Sequence, residues 1–360
     1  MAFIHSVQSG LPDHYYSQEE LLAGLRELWQ ERFHNFDRIE QFHRNVLVSG
    51  RHLALPMEEY SEIRKSFGAR NDAFLRVATD LATRSVDRLL NDAGLLPEDI
   101  SLLASTTVTG LAVPTLEARL MNRLPFRANT RRLPLFGLGC LAGVAGINRV
   151  TDYLKGHPRE AAVFISVELC SLTLQAEDFS VSNLVSTGLF GDGCGVVLMV
   201  GDEHPLAASA AYEVLHGESE FFPDSERIMG WDIVDEGFKV VLSSKVPAIA
   251  RENVPQAVDR LLAGHHMTRK DVGHYICHPG GPKVMEGIEQ GLGLEAGELE
   301  LSWDCLSRLG NMSSSSVLFI LQKTIEKLQQ EKRSGERGIM LAMGPAFCAE
   351  MTMVRSRNFQ

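Results

Sequence analysis

The chain has 360 residues, of which 44% are hydrophobic and 22% are charged, and it carries a formal net charge of −11. This composition is ordinary for a globular enzyme and supplies enough apolar material for a large core. The acidic balance argues against nucleic acid as a partner, and the six cysteines form no CxxC or CxxH pair typical of a zinc or redox site.

The first half of the sequence alternates predicted helices with apolar strands. Ser17 and Glu20 form a capping-box pattern ahead of an amphipathic helix that includes Leu21, whereas residues 36–70 look irregular. Asn71 is the predicted cap of a long helix that ends near Gly94. Further along, the pattern predicts strands over 102–108, 133–138, 161–167 and 196–200, and helices over 115–122 and from Cys140 to about 154.

The second half continues in the same style, and no low-complexity linker separates it from the first. The predicted strands cover 206–215, 238–243, 273–277, 338–343 and 348–355, and the predicted helices cover 246–264 and run from Asn311 to about 332. Continuous apolar strands that alternate with helices indicate an α/β chain whose sheets are buried on both faces.

Three residues far apart in the chain stand in short glycine-rich segments. Cys140 lies in LGCLAG, His278 in HPGGP and Asn311 in GNMSS. Each alone has an ordinary structural explanation, as a buried thiol, a core imidazole or a turn amide. Together they supply what thioester chemistry needs: a nucleophile, a group that activates it, and donors for a developing oxyanion.

The segment around Cys140 predicts a thiol at the start of a helix. A helix N-terminus stabilises a thiolate, so we expect Cys140 to be ionised near neutral pH and paired with His278. We also expect Gly139 and Gly143 to leave room beside it for a bulky acyl chain.

Four strings make the chain resemble the type III polyketide synthases, the chalcone synthase superfamily. HPGGP, GNMSS, LFGDG at 189–193 and MGPAF at 343–347 occur in the family's order and approximate spacing, within matching segments from about Phe42 to Thr352. The resemblance implies the thiolase-like five-layer αβαβα fold of two similar halves. Residues 1–202 would form the half that carries Cys140, and residues 203–360 the half that carries His278 and Asn311.

The activity implied by this resemblance is that of an acyltransferase. Cys140 would be loaded from an acyl-CoA starter, His278 and Asn311 would assist decarboxylative condensation with malonyl-CoA, and the product would then cyclise. Coenzyme A thioesters would be substrates, with no cofactor and no metal. Because the sequence shows no signal peptide and no apolar stretch long enough to span a bilayer, we expect a cytoplasmic protein without stable membrane insertion.

The resemblance also assigns substrate-binding residues. Phe190 and Phe238 match the aromatic pair at the active-site mouth, and Cys170 and Thr173 fall where the family lines its starter cavity. The remaining assignments are Met229 for chain-length control, Ser313 for substrate binding, and Arg44, Arg51 and His52 as candidates for the coenzyme A phosphates. The Val113–Pro114 segment falls where the family has a cis proline beside its dimer contact, which implies a homodimer.

The starter class follows from a finer resemblance. Residues 167–193 and the segment Met229 to Asp232 look like those of bacterial members that make alkylpyrones or alkylresorcinols. We therefore expect a medium- or long-chain fatty acyl-CoA starter, with an aromatic or malonyl starter as the alternative. Starter length, the number of extensions and the cyclisation mode depend on cavity volume, and the sequence leaves them open.

Three other functions are consistent with part of this pattern. A ketoacyl synthase III-type enzyme would share the three residues but usually shows GNTS, so Met312 argues against it. A papain-like hydrolase also has the order Cys, His, Asn, and here His278 follows Cys140 by 138 residues, but the CG[SA]C[WY] signature is missing. A degenerate scaffold protein would not be expected to keep all three residues.

Overall fold

The structure, a computed structural model, describes residues 1–29, 35–64 and 66–357. Its helices are α1 (Gln18–Trp29), α2 (Phe36–Asn45), α3 (Tyr60–Ile63), α4 (Phe67–Ala93), α5 (Leu116–Met121), α6 (Ala142–Gly156), α7 (Val181–Leu189), α8 (Val246–Ala263), α9 (Pro282–Leu292), α10 (Glu300–Leu309) and α11 (Ser316–Gln330). Its strands are β1 (Ala2–Gly10), β2 (His14–Ser17), β3 (Gly50–Leu53), β4 (Ile100–Thr106), β5 (Arg131–Leu135), β6 (Ala161–Leu169), β7 (Asp192–Gly201), β8 (Tyr212–Phe221), β9 (Met229–Val234), β10 (Gly237–Leu242), β11 (His274–Cys277), β12 (Arg337–Gly344) and β13 (Cys348–Ser356).

The main sheet shows an internal repeat that the sequence does not reveal. Its order is β11-β12-β13-β8-β1-β7-β6-β4-β5, and the strands from the first and second halves of the chain are joined only where β1 pairs with β8 over three residues. Outward from that junction, the first half of the chain runs β1, β7, β6, β4, β5 and the second half runs β8, β13, β12, β11. Each half therefore begins with its first strand, which is followed by its last two strands in reverse order and then by earlier strands. The expected boundary at 202/203 falls between β7 and β8 and stays a prediction.

Helices pack on both faces of each half of the sheet, which gives five layers. An apolar cluster joins α4 to β4, β6 and β7, and another joins α8 and α9 to β11, β12 and β13. Between them, α6 and α11 bury their apolar faces against strands from both halves. Strands buried on both faces carry the continuous apolar runs that the sequence displays.

Most predicted elements are present, with boundaries shifted by a few residues. Ser17 and Glu20 do form a capping box, with Ser17 N–H donating to Glu20 Oε2 at 2.7 Å and Glu20 N–H donating to Ser17 Oγ at 3.2 Å. The Val113–Pro114 peptide is cis, as the resemblance implied.

The prediction that residues 36–70 are irregular was wrong. The segment holds α2, β3, α3 and the start of α4. The true cap of α4 is Ser66, whose hydroxyl accepts a hydrogen bond from Ala69 N–H at 3.0 Å, and not Asn71. The side chain of Asn71 instead bonds the backbone of Leu111, with Asn71 Nδ2 donating to the Leu111 carbonyl at 3.0 Å.

Candidate active site

The two central helices begin beside each other, and this brings two of the three candidate residues together. Cys140 lies in the 3-10 turn Gly139–Leu141 that leads into α6, and Asn311 precedes the 3-10 turn Ser313–Ser315 that leads into α11. Cys140 Sγ lies 3.5 Å from Ser313 Oγ. The site therefore forms where the two halves of the sheet meet.

The glycines around Cys140 serve backbone packing. Gly139 has a φ of +55°, and a Cβ there would come within 2.5 Å of the Pro345 ring. A Cβ on Gly143 would lie 2.2 Å from the carbonyl oxygen of Ser314. Pro345 and the Ser314 loop lie against these glycines, and the expectation that they leave room for an acyl chain stays a prediction.

His278 enters the site from the end of β11, which pairs with β12 in parallel. Its backbone N–H donates to the Leu341 carbonyl at 2.8 Å, and its side chain is buried. Within the described residues neither ring nitrogen has a hydrogen-bond partner. Burial lowers the pKa of His278 to about 3, so the imidazole is neutral at physiological pH.

Asn311 connects the loops that surround it. Its Nδ2 donates to the carbonyl of Gly280 in the HPGGP segment at 3.4 Å, and its Oδ1 accepts from Ser313 N–H at 2.8 Å. Its backbone pairs with the segment that carries Phe190, through Asn311 N–H to the Leu189 carbonyl at 2.9 Å. One carboxamide thus fixes the histidine loop and the turn before α11 relative to each other.

Burial acts against the thiolate that the sequence predicts at Cys140. It raises the pKa of this thiol, the Ser313 hydrogen bond lowers that pKa, and the negative charge of Glu168 raises it. The ion pair with His278 near neutral pH stays a prediction.

The three candidate residues line one cavity of about 660 Å³, a size typical of small-molecule sites. A second cavity of about 620 Å³ lies against it, lined largely by apolar side chains of α1 and its neighbours. Four residues contribute to both walls and so form the boundary between them: Cys170, Phe190, Trp231 and Val240.

The predicted substrate-binding residues divide between these cavities. Met229 and Ser313 line the first cavity and Thr173 only the second, while Cys170 and Phe190 line both. Phe238 lines neither.

Phe238, which the resemblance places at the active-site mouth, lies in β10 and packs against α4. Its ring is buried edge-to-face against Phe67, with centroids 5.5 Å apart. The aromatic residue that sequence reasoning missed is Trp231, which pairs across the hairpin with Val240. Trp231 belongs to the Met229-Gly230-Trp231-Asp232 segment that the resemblance links to chain-length control, and in a strand it shares the face of Met229.

Arg51, a candidate for a coenzyme A phosphate, is engaged within the protein. Its guanidinium is buried, and NH1 donates to Gln18 Oε1 at 2.5 Å and to the Gly188 carbonyl at 2.9 Å. Arg44 pairs with Glu40 at 3.4 Å, and His52 Nδ1 lies 2.6 Å from the Pro12 carbonyl oxygen. Neither of these two lines the first cavity.

A cation that sequence reasoning did not select does line that cavity. Lys283 is exposed, lies in the first turn of α9 directly after HPGGP, and forms no ion pair among the described residues. The signal available in the sequence was its position directly after the histidine motif.

Two further observations concern metal binding and membrane insertion. In the described ranges, no group of three or more His, Cys, Asp and Glu side chains is placed to hold a metal ion. No helix among those residues combines the length and apolar character needed to cross a bilayer. The arrangement of Cys140, His278 and Asn311 can form a thioester and stabilise an oxyanion with neutral donors.

Comparison with protein families gives two adjoining matches. Residues 57–217 match the family described as FAE1/type III polyketide synthase-like protein, and residues 213–358 match the C-terminal domain of chalcone and stilbene synthases.

Curated relatives match nearly the whole chain. A 1,3,6,8-tetrahydroxynaphthalene synthase from Streptomyces peucetius subsp. caesius is 40% identical over 352 residues, which covers 98% of this chain and 92% of the relative. A putative chalcone synthase from Bacillus subtilis is 34% identical over 361 residues, which covers 98% of both.

A solved structure agrees. The crystal structure of 1,3,6,8-tetrahydroxynaphthalene synthase from Streptomyces coelicolor A3(2), described as a bacterial type III polyketide synthase, matches with a TM-score of 0.90 at 29% identity and covers 99% of both chains. The expected thiolase-like fold is confirmed, and a papain-like hydrolase is excluded.

Proposed function

The chain belongs to the type III polyketide synthases, acyltransferases that perform decarboxylative Claisen condensation, and we propose that it uses Cys140 as acyl carrier with His278 and Asn311 as oxyanion donors. The observation that carries this proposal is that all three side chains line one cavity. Substrates of this family are an acyl-CoA and malonyl-CoA.

The loading step would use His278 first as base and then as acid. Cys140 Sγ attacks the thioester carbonyl of the starter while its proton passes to the neutral imidazole. The tetrahedral intermediate collapses to a Cys140 thioester, and the imidazolium returns the proton to the departing coenzyme A sulfur. The imidazole ends the step neutral.

The extension step would use His278 and Asn311 as neutral donors. In malonyl-CoA the bond to the carboxylate breaks, CO₂ leaves, and the electron pair becomes an enolate whose oxygen accepts hydrogen bonds from the imidazole N–H and from Asn311 Nδ2. The enolate carbon attacks the Cys140 thioester and the Cys140 thiolate leaves. The released β-ketoacyl-CoA is two carbons longer than the starter and can be reloaded.

Separating the two half-reactions tests these roles. Cys140→Ala should abolish polyketide formation, because no acyl-enzyme can form, while malonyl-CoA decarboxylation continues through His278 and Asn311. The matched control is Cys305→Ala, which removes a buried thiol outside both cavities. Polyketide from the Cys140 variant at the control's rate, measured by mass spectrometry, would contradict the proposal.

The starter we propose is a medium- or long-chain fatty acyl-CoA, giving an alkylpyrone or, after aldol closure, an alkylresorcinol. The second cavity supports this, because Leu21, Leu25 and Leu28 of α1 line it beyond the boundary formed by Cys170 and Trp231. Each methylene buried there would contribute about 0.8 kcal/mol.

A second candidate is a malonyl starter with malonyl extension only. The 40% identity to a protein named tetrahydroxynaphthalene synthase favours it, because a tetrahydroxynaphthalene carries no alkyl tail.

Competition between starters decides between the two. The purified enzyme would receive malonyl-CoA with an equimolar mixture of acyl-CoAs from four to sixteen carbons, and products would be identified by mass. Alkyl-tailed products that increase with chain length support the first candidate. A tail-free polyphenol as the main product supports the second, and either result leaves the family assignment in place.

For the coenzyme A phosphates we propose Lys283. It is an exposed, unpaired cation among the described residues that line the catalytic cavity, and it lies five residues after His278. An ammonium at this position can meet a phosphate as a point charge.

For assembly we propose a homodimer. Val113 is 94% exposed and Leu111 is 43% exposed in the loop before Pro114, and Phe136 is 56% exposed beside the edge strand β5. Exposed apolar groups next to an open strand edge are features that a partner subunit would cover.

Light scattering tests the assembly. The wild type should have twice the 39.8 kDa mass of one chain, and Val113→Asp should shift the mass toward a single chain. Leu96→Asp changes another apolar residue, 62% exposed, and is the control. A single-chain mass for the wild type at micromolar concentration would refute the proposal.

A further inference from the structure

Ser313 adopts a backbone conformation that disfavours every residue except glycine. Its φ is +49°, in the left-handed region, and its side chain is buried. A glycine would occupy this position without strain, so the serine side chain is kept despite a conformational cost. Such an outlier directs attention to what the hydroxyl does.

The turn around Ser313 is held rigidly from three sides. Ser313 N–H donates to Asn311 Oδ1 at 2.8 Å, Ser314 Oγ donates to the buried carboxylate of Glu168 at 2.5 Å, and Ser315 Oγ donates to the Gly193 carbonyl at 3.1 Å. The backbone of this turn, and with it the Cβ of Ser313, is therefore held by the surrounding scaffold.

The hydroxyl faces the sulfur of Cys140. The distance between Ser313 Oγ and Cys140 Sγ is 3.5 Å, and among the described residues no other side chain hydrogen-bonds this sulfur. His278, the expected partner, has both ring nitrogens without a hydrogen bond in the same set of residues. The group placed to meet a charge on the sulfur is thus a hydroxyl.

We propose that Ser313 is a further catalytic residue whose hydroxyl donates a hydrogen bond to the Cys140 sulfur whenever that sulfur carries negative charge. The inference rests on the proposed role of Cys140 as acyl carrier. Charge develops on the sulfur twice in each cycle: when the S–H bond breaks and the proton passes to His278, and when the thioester bond breaks as the enolate attacks. A hydrogen bond to a charged acceptor is about twice as strong as one to a neutral acceptor, so Ser313 stabilises the thiolate more than the thiol.

Ser313→Gly separates this role from a structural one. The variant removes the hydroxyl and also relieves the backbone strain, so its melting temperature should equal or exceed that of the wild type. The alkylation of Cys140 by iodoacetamide, followed by intact-protein mass between pH 6 and pH 11, should show a midpoint about one pH unit higher. At pH 7 the rate of alkylation should fall about tenfold, because the thiolate fraction falls tenfold for each unit by which the pKa of the thiol rises.

The shape of the pH profile is the decisive feature. Above the midpoint the variant should alkylate at least as fast as the wild type, since a thiolate of higher pKa is intrinsically more nucleophilic. A disturbed site would instead react more slowly at every pH. Ser315→Ala, which removes a hydroxyl of the same turn that does not face the thiol, should leave the midpoint unchanged.

An activity measurement completes the test. Ser313→Gly should slow acyl loading in proportion to the alkylation rate at pH 7. If the wild type makes polyketide but Ser313→Gly has the same alkylation midpoint as the wild type, this inference alone is overturned. A wild type that makes no polyketide would instead overturn the proposed function.

Discussion

Gly24 offers a way to shorten the second cavity without touching the catalytic residues. It lies within α1 and lines that cavity, and a Cβ there would meet only Met57 Sδ, at 3.4 Å. Gly24→Ala should therefore fit, and it should stabilise the fold by about 0.5–1 kcal/mol because glycine is unfavourable inside a helix. Gly24→Leu would fit the helix equally well but place a four-carbon side chain in the cavity.

The expected effect on the starter follows from the volume displaced. A leucine side chain occupies the space of about four methylenes of an acyl tail, and at about 0.8 kcal/mol each the loss for a long starter is roughly 3 kcal/mol. Since 1.36 kcal/mol corresponds to tenfold, kcat/KM for a hexadecanoyl starter should fall by at most about two-hundredfold. A butanoyl starter, which would end before the boundary at Trp231, should be unaffected.

The assay is kcat/KM for acyl-CoA starters of four to sixteen carbons at fixed malonyl-CoA, measured for the wild type, Gly24→Ala and Gly24→Leu. The alanine variant is the matched control, because it carries the same helix change without filling the cavity. If the length profile of Gly24→Leu coincides with that of Gly24→Ala, the acyl tail does not occupy the second cavity and the reasoning fails.

Three further outcomes are expected. Lys283→Ala should raise KM for coenzyme A thioesters about three- to fivefold, as expected for one exposed charge pair. It should not raise KM for N-acetylcysteamine thioesters, because these lack phosphates. Lys270→Ala, which changes an exposed lysine outside both cavities, should alter neither KM. Burial lowers the pKa of His43 to about 3. Below pH 6.5 this side chain therefore binds more protons in the unfolded chain than in the folded protein. The free energy of unfolding should consequently fall as the pH decreases from 6.5 toward 3. Urea unfolding at pH 7.5 and 5 should show a smaller loss for His43→Gln than for the wild type, with the exposed His265→Gln as control; equal losses in all three would contradict this. Cys170→Phe should narrow the boundary between the cavities and shift starter preference toward short chains, and an unchanged preference would show that the tail passes elsewhere.

The elements that the sequence predicted well are those with a strong local pattern. The strands β12 and β13 are continuous apolar runs on either side of a tight turn, and they pair in antiparallel register from Arg337–Arg355 to Gly344–Cys348. The strand–turn–helix around Cys140 was equally visible, because a buried strand, glycines and a helix follow one another directly.

Helix α2 lies in the segment expected to be irregular, because its many charged residues obscure an amphipathic pattern. In α2 the buried residues Phe36, Ile39 and His43 recur at helical spacing, between Asp37, Arg38, Glu40 and Arg44 on the exposed face. The amphipathic pattern was present, but few of its apolar positions are large aliphatic residues.

The surroundings of Arg51 and Phe238 depend on long-range packing that no local pattern encodes. The resemblance makes Arg51 a candidate for a coenzyme A phosphate because it lies in the segment where the plant members of the family carry cations. In the structure its guanidinium donates to carbonyl oxygens of Thr187 and Gly188 and to the amide oxygen of Gln18, which only the tertiary fold brings close. Phe67, on a distant helix, likewise supplies the packing surface of Phe238.

A neutral imidazole at His278 would suit decarboxylation better than an imidazolium. Malonyl-CoA brings a carboxylate whose charge must move onto an enolate oxygen as CO₂ leaves. An imidazolium near that carboxylate would stabilise the reactant before the charge moves, and part of the gain in the transition state would be lost. Burial lowers the pKa of His278 to about 3, and the amide of Asn311 does not ionise, so both groups offer N–H donors without a net charge. In the proposed extension step these donors meet the enolate oxygen and so favour the transition state over the carboxylate. The burial that acts against a thiolate on Cys140 would thus also keep the imidazole of His278 neutral for that step.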